Sequence, residues 1–334
     1  MANDILFSMS KKFKLILVFF FIIFSLFLIS LLLILSQFRP VSSSSESQRF
    51  IIPKGQAVSV IGQHLQKQKL IKNSLVFRLI VKQRDLANKI QAGSFDLSPN
   101  MTVDEIATAL TRGTEDIWVT IPEGLRMEEI AEILTNYKEL ALFDKNEFLN
   151  LAKYSEGYLF PDTYLLPKQM DALGLFNLFT DTFNKKVNIA LADDLKNNTK
   201  SLEEILTMAS IVEREAGGVG DQAQVAGILW NRINIGMALQ ADATLQYANG
   251  YNKTQASWWT SPLAADKQIN SPFNTYLNPG LPPRPICNPG LSAIKAALDP
   301  AVSDYLYYIH DRQGEIHLAK TIEEHNSNVQ KYLR

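Results

Sequence analysis

One cysteine, Cys287, is all that this 334-residue chain contains, so no disulfide can form within it. With no assignable base beside it, Cys287 reads as a small packed residue. Histidine is scarce too. His64, His310, His317 and His325 show neither HExxH nor paired-ligand spacing, which argues against a metal site, and no motif asks for another cofactor. An excess of one charge is also missing. The 33 Lys and Arg against 34 Asp and Glu leave a net charge of −1, so no global electrostatic case exists for nucleic acid. Ser210 lacks a G-x-S-x-G setting. "GGVG" (217–220) lacks the preceding strand and the lysine of a phosphate loop, and reads as a helix exit.

What the chain does have is an uninterrupted apolar run. Leu15 to Ser36 carries no charge, and about 20 apolar residues cross a bilayer. Lys11, Lys12 and Lys14 precede it, which places residues 1–14 on the cytoplasmic side by the positive-inside rule. The run is longer than the ~7–15 apolar residues of a secretory signal, and no small-x-small cleavage site follows. The expectation is one transmembrane helix (15–36), a polar Ser-rich linker (37–49), and the remainder outside the cytoplasm. At 46% apolar and 20% charged the composition is that of a folded protein, and the length suggests about two domains.

Past the linker the chain echoes itself. "FIIPKGQAVSVIGQHL" (Phe50 to Leu65) matches "VTIPEGLRMEEIAEIL" (Val119 to Leu134) at Pro53/Pro122, Gly55/Gly124, Ile61/Ile130 and Leu65/Leu134. Each copy reads as strand, Pro-Gly turn and amphipathic helix. "AGSFDLSPNMTVDEIATALTRG" (Ala92 to Gly113) repeats the pattern loosely. Such units resemble LysM-like modules, which bind N-acetylglucosamine-containing glycans, and a plain α+β scaffold fits the same pattern. Further on, the pattern predicts a helical region over Ala172 to Asn197 with Leu173, Phe176, Phe179 and Phe183 on one side. It also predicts a helix from Val225 to Ile233 stopped by Gly236, and a long irregular segment from Ser261 to Pro289. Two closing helices flank a hairpin that turns near Gln313–Gly314. The fold class is α+β.

The chemistry concentrates in "LTMASIVEREAGG" (Leu206 to Gly218). Ile205, Leu206, Ala209, Val212 and Ala216 recur at helical spacing, which turns one face inward. Glu213 falls near that face, Glu215 on its other flank beside Met208 and Ile211, and Arg214 on the opposite side. A glutamate in a partly dry pocket keeps its proton to higher pH and can protonate a leaving oxygen. A salt-bridged pair on a half-exposed helix fits the same periodicity, which does not choose between the two glutamates. Nearby Asn231, Arg232, Gln240, Asp242, Thr244, Tyr247, Asn274 and Tyr276 supply the polar groups and ring faces that a carbohydrate groove uses.

"LTMASIVEREA", "AGILWNRINIGMALQADATLQYANG", "SPFNTYLNPGLPPRPICNPG" and "SAIKAALDP", preceded by "VTIPEG" and "EGYLFPDTY", resemble the YceG-like family of membrane-anchored endolytic murein transglycosylases. The resemblance runs from about Phe50 to the C-terminus. It implies a LysM-like subdomain (50–135), a mixed α+β catalytic domain (136–334), and a catalytic glutamate matching the first Glu of "IVERE", Glu213. It also implies substrate-binding roles for Gln240, Asp242, Thr244, Asn274 and Tyr276, to which the polar cluster adds Asn231. The implied reaction is cleavage of the MurNAc–GlcNAc β-1,4 bond without water, leaving a 1,6-anhydro-MurNAc end and ending nascent strands. Implied partners are peptidoglycan and, by location, cell-wall synthases; the implied place is the inner membrane with a periplasmic catalytic domain. Arg284 and Cys287 depart from the smaller or apolar residues expected in the Pro-rich loop. Two alternatives stay open: a muramidase-type hydrolase with Asp242 activating water, and a non-enzymatic glycan-binding anchor.

Overall fold

The computed structural model describes residues 11–113 and 116–334; residues 1–10 of the expected cytoplasmic segment lie outside the described residues. The chain divides into two compact units, Met1–Trp118 and Val119–Arg334, and mixes helices with three two-stranded sheets among the described residues.

In the first unit, helix α1 (Lys11–Ser36) contains the apolar window Phe19–Ser36, none of it buried by protein. At 1.5 Å per residue that window spans ~27 Å, close to the hydrocarbon thickness of a bilayer. Strand β1 (Gln48–Ile52) pairs antiparallel with β2 (Gly93–Leu97), bringing Phe50 opposite Phe95. Alternation directs Phe50, Ile52, Phe95 and Leu97 inward. They meet the apolar faces of α2 (Val58–Lys67), α3 (Ser74–Gln83) and α4 (Val103–Ala109) in one core. The spacer after α1 forms no regular element, yet it is attached. Phe38 packs on this core, and the Val41 and Ser42 N–H groups both donate to Pro99 O, at 3.0 and 3.1 Å.

In the second unit, β3 (Asp116–Ile121, beginning just before the division) pairs with β4 (Asp162–Pro167). The Pro-Gly turn follows β3, and α5 (Met127–Thr135) and α6 (Lys145–Ala152) come after it. The two copies of the echo therefore fall one in each unit. Gly55 and Gly124 hold the same left-handed φ, 78° and 76°, which a side chain would strain. Helix α7 (Ala172–Phe183) runs through a π-helical turn (Asn184–Ile189) toward α8 (Ala192–Asn197). Its buried stripe is Leu175, Phe179 and Phe183, while Leu173, expected inside, is exposed. Residues at i, i+4 and i+8 share the face that packs.

Helix α9 (Leu202–Glu215) starts at a capping box in which Ser201 Oγ accepts from Glu204 N–H and Glu204 Oε2 accepts from Ser201 N–H. Against it lie α10 (Gln222–Asn234), α11 (Asp242–Asn249) and α12 (Leu291–Leu298). Burial on α9 is not one-sided. Met208 and Ile211 are as fully enclosed as Leu206 and Ala209, so the helix is central and both flanks of its last turn meet protein. Gly236 follows α10 with φ 72°. The irregular 261–289 segment holds a short 3₁₀ turn (Ala264–Gln268) and an isolated antiparallel bridge from Asn288 to Leu125. The hairpin β5 (Tyr307–His310) and β6 (Ile316–Ala319) precedes α13 (Ile322–Tyr332).

Candidate active site

Glu213 and Glu215 stand about 200° apart around α9, and each meets a different environment. Glu215 opens on a cavity of about 370 Å³. Arg232 of α10, Gln240 just before α11, Asp242 at its start, and Lys267 of the 3₁₀ turn line it. Tyr276 of the irregular segment, Tyr307 and Tyr308 of β5, and Ile322 and His325 of α13 also line it, with Leu239. The Glu215 carboxylate is fixed at both oxygens: Oε1 accepts from Ala243 N–H at 3.2 Å and Oε2 from Tyr308 O–H at 3.0 Å. Burial pushes this carboxyl above its ordinary range, and the charge of Asp242 adds to the shift. The Ala243 and Tyr308 hydrogen bonds and the Arg232 cation oppose it. An acid so placed holds its proton longer than a surface glutamate, while donors wait for the charge left after it is given up.

The cavity walls are themselves tied. Tyr276 O–H donates to Asp242 Oδ1 at 2.7 Å, and burial with that partnership raises the phenol. Lys267 Nζ sits 4.7 Å from the centre of the Tyr276 ring. Arg232 donates through Nε to Leu306 O at 2.6 Å and through Nη1 to Leu239 O at 2.5 Å. Gln240 occupies the left-handed region at φ 51°, a conformation that costs a non-glycine residue on the order of 1 kcal/mol. Its N–H donates to Thr275 O at 3.1 Å.

Of the six residues expected to bind substrate, Gln240, Asp242 and Tyr276 come together in this cavity. The other three shape its surroundings. Asn231 Nδ2 donates to Ser303 O and Tyr305 O at 2.8 and 3.1 Å. Thr244 Oγ1 meets Ala241 O at 2.7 Å and Thr275 Oγ1 at 2.9 Å. Asn274, fully buried, donates to Lys267 O and Ile269 O and accepts from Tyr276 N–H. Tyr308, Tyr307, Lys267 and His325 escaped the sequence reading. The alternating "YLYYIH" gave the hairpin but not the direction of its tyrosines.

Glu213 meets backbone instead. Its Oε2 accepts from Gly290 N–H at 3.0 Å, and burial and the Glu123 charge raise its carboxyl against that hydrogen bond and Arg214. The Pro-Gly turn abuts it: a Cβ on Gly124 would lie 3.4 Å from Glu213 Cγ. Arg214 stacks 4.0 Å from the Trp259 ring centre. The loop donating to Glu213 is pinned by the fully buried Asn288, whose Oδ1 accepts from Gly157 and Leu159 N–H, both at 2.9 Å. Asn288 Nδ2 donates to Leu125 O at 3.0 Å and to Glu156 Oε1 at 2.7 Å. Cys287 is buried with its thiol on Ser210 O, and burial pushes the thiol far up. It is therefore an unreactive packed group.

Among the described residues, Asp311, Glu315 and His317 bring possible metal-ligand atoms within 4.8 Å of one another. This trio crosses one hairpin turn and escapes a search for paired histidines. Asp311 Oδ2 already meets His317 Nε2 at 2.8 Å, and Oδ1 accepts from Gln313 and Glu315 N–H. These atoms close the turn.

The YceG-like family model matches residues 50–331. The chain is 34% identical over 326 residues to the endolytic murein transglycosylase of Bacillus subtilis strain 168, covering 89% of this chain and 88% of that protein. It is 29% identical over 339 residues to the endolytic murein transglycosylase of Streptococcus pneumoniae R6, covering 90% of this chain but 61% of that longer protein. Among solved structures, a YceG-like protein of Listeria monocytogenes superposes with a TM-score of 0.54 at 31% identity, over 85% of this chain and 99% of the other.

Proposed function

Because the chain belongs to the YceG-like family, we propose that it is a membrane-anchored endolytic lytic transglycosylase acting on peptidoglycan, with Glu215 as its acid. The observation that carries the choice of residue is the cavity: Gln240, Asp242 and Tyr276 line it with Glu215, whereas Glu213 faces Gly290 and the Pro-Gly turn. Glu213, the glutamate matched from the family resemblance, becomes in this reading the anchor of the loop that starts α12.

The Glu215 carboxylic acid gives its proton to the GlcNAc O4 as the MurNAc C1–O4 bond breaks. The C6 hydroxyl oxygen of the same MurNAc bonds to C1, and its proton returns to the carboxylate. Nothing is added and a 1,6-anhydro end is left. An internal nucleophile of this kind carries an effective molarity of roughly 10⁵ M or more when aligned, so one carboxyl acting twice replaces the usual pair. The Ala243 N–H at the start of α11 and the Tyr308 O–H stabilise the carboxylate between the two transfers. Gln240, Asp242 and Tyr276 hydrogen-bond sugar hydroxyls. Asn231, Thr244 and Asn274 act through the loops they brace. In the cell the helix α1 crosses the inner membrane with its N-terminus cytoplasmic. The strand–helix segments ahead of the catalytic region act as a LysM-like glycan guide, and the enzyme ends nascent strands beside cell-wall synthases.

A hydrolase with Asp242 as the base is the second reading, favoured by the presence of Asp242 in the same cavity as Glu215. Cleavage in heavy-oxygen water separates the two. Transglycosylation gives anhydro-muramyl ends without label, and hydrolysis gives labelled reducing ends, which would overturn the proposal.

A further inference from the structure

The first unit carries an exposed stripe that its core does not use. On α3, Phe77, Ile80 and Val81 face the core. Leu75 and Leu79, one turn apart, are 64% and 54% exposed, and Arg78 and Lys82 continue the same line. Residues at i, i+3, i+4 and i+7 share one helix face. Leucine interleaved with basic residues is the composition of a helix lying in a membrane interface, where the leucines enter the acyl boundary and the basic heads reach anionic lipid.

Where α3 begins fixes the choice of occupant. Lys72, two residues before α3, donates through Nζ to Ser36 O at 3.3 Å, and Ser36 is the last residue of the apolar window of α1. Leu75 is then no more than ~10 Å of chain from a side chain that touches the end of the membrane helix. Phe38 packed on the unit's core and the two hydrogen bonds to Pro99 O keep the spacer from swinging the unit away. We infer that the Leu75–Arg78–Leu79–Lys82 face of α3 docks on the outer surface of the bilayer that α1 crosses, with anionic phospholipid headgroups as its partner. The unit then lies against the membrane, and glycan is offered to it close to the lipid surface.

The test uses the full chain in nanodiscs, with Leu79→Cys carrying a fluorescent label and Cys287 left unlabelled because it is buried. Lipids bearing a nitroxide near the headgroup are included, in phosphatidylglycerol-containing and in pure phosphatidylcholine discs. The expected result is strong quenching in the anionic discs, weaker quenching in the neutral ones, and less for a label at Lys54→Cys, in the exposed turn after β1, than at Leu79→Cys. Arg78→Glu with Lys82→Glu should abolish the difference between lipids, and 1 M salt should reduce it, since screening shortens from ~10 Å at 0.1 M to ~3 Å. Equal quenching at both label sites, or none at either, overturns the inference. So does a label shielded from aqueous iodide yet untouched by the lipid nitroxide, which would mean that protein covers this face.

Discussion

Replacing Glu156 by Gln should stabilise the second unit at pH 8 and leave it nearly unchanged at pH 5. Glu156 is 2% exposed, and burial, with the neighbouring Glu128 charge, raises its carboxyl to about 8 against the opposing Arg126 cation. Both of its structural hydrogen bonds can end on one oxygen: Oε1 accepts from Asn288 Nδ2 at 2.7 Å and from Met127 N–H at 3.0 Å. A protonated carboxyl therefore satisfies the site, and a glutamine amide reproduces it. Below the unfolded value of 4.5 both states hold the proton and no penalty exists. Above it the unfolded chain ionises while the native one does not, so stability falls as pH rises toward 8. At 1.36 kcal/mol per pH unit the loss reaches about 3 kcal/mol at pH 7 as an upper bound. That corresponds to roughly 6–12 °C in melting temperature for a unit of this size. Thermal unfolding followed by fluorescence of Trp230, Trp258 and Trp259, at half-unit steps from pH 5 to 8, reads the gap between wild type and Glu156→Gln. A gap that is constant with pH, or a variant less stable at pH 8, would mean that Glu156 ionises in the native protein as readily as in the unfolded chain.

Tyr308→Phe removes a donor to the charged form of Glu215. The carboxyl should rise further, and the alkaline limb of the pH–rate profile should move to higher pH; a limb that stays or moves down contradicts this. Gly227→Ala would bring a Cβ within 2.2 Å of Ala301 O, a backbone atom that cannot swing aside. It should cost about 1–3 kcal/mol in denaturant unfolding, and a neutral result would mean that α10 shifts freely. Gln240→Gly relieves the positive φ and should gain up to ~1 kcal/mol in stability while strand cleavage slows. Unchanged turnover would remove Gln240 from the binding set.

Much of the fold was open to sequence reasoning because it rests on local signals. The Pro-Gly turns at Gly55 and Gly124, the stop at Gly236 and the hairpin turn at Gly314 each need a left-handed backbone, and all four have it. The strand that opens the first copy of the echo is there as β1, whereas its pairing with β2, about 45 residues on, is a long-range contact that local spacing does not carry. What periodicity missed lies where a helix is surrounded. On α9, Met208 and Ile211 are as buried as Leu206, so no exposed side exists to rank Glu213 against Glu215. Nor could spacing bring Tyr308 and His325, roughly 90 to 110 residues downstream, to the cavity of Glu215; that contact depends on how β5 and α13 return to α9. Leu173 was misplaced because an apolar residue one position off a stripe reads as part of it.

Glu213 and Glu215, two residues apart on α9, can be told apart by rate. Initial rates of glycan-strand cleavage by the wild-type protein, Glu215→Gln and Glu213→Gln, each checked for unchanged melting, decide which of them moves the proton. Glu215→Gln should lose on the order of 10²-fold or more, the typical worth of a positioned general acid. Glu213→Gln, whose amide oxygen still accepts from Gly290 N–H, should cleave at close to the wild-type rate. A silent Glu213→Gln beside an active Glu215→Gln would rule out Glu215 as the acid and return that role to the first glutamate of the pair.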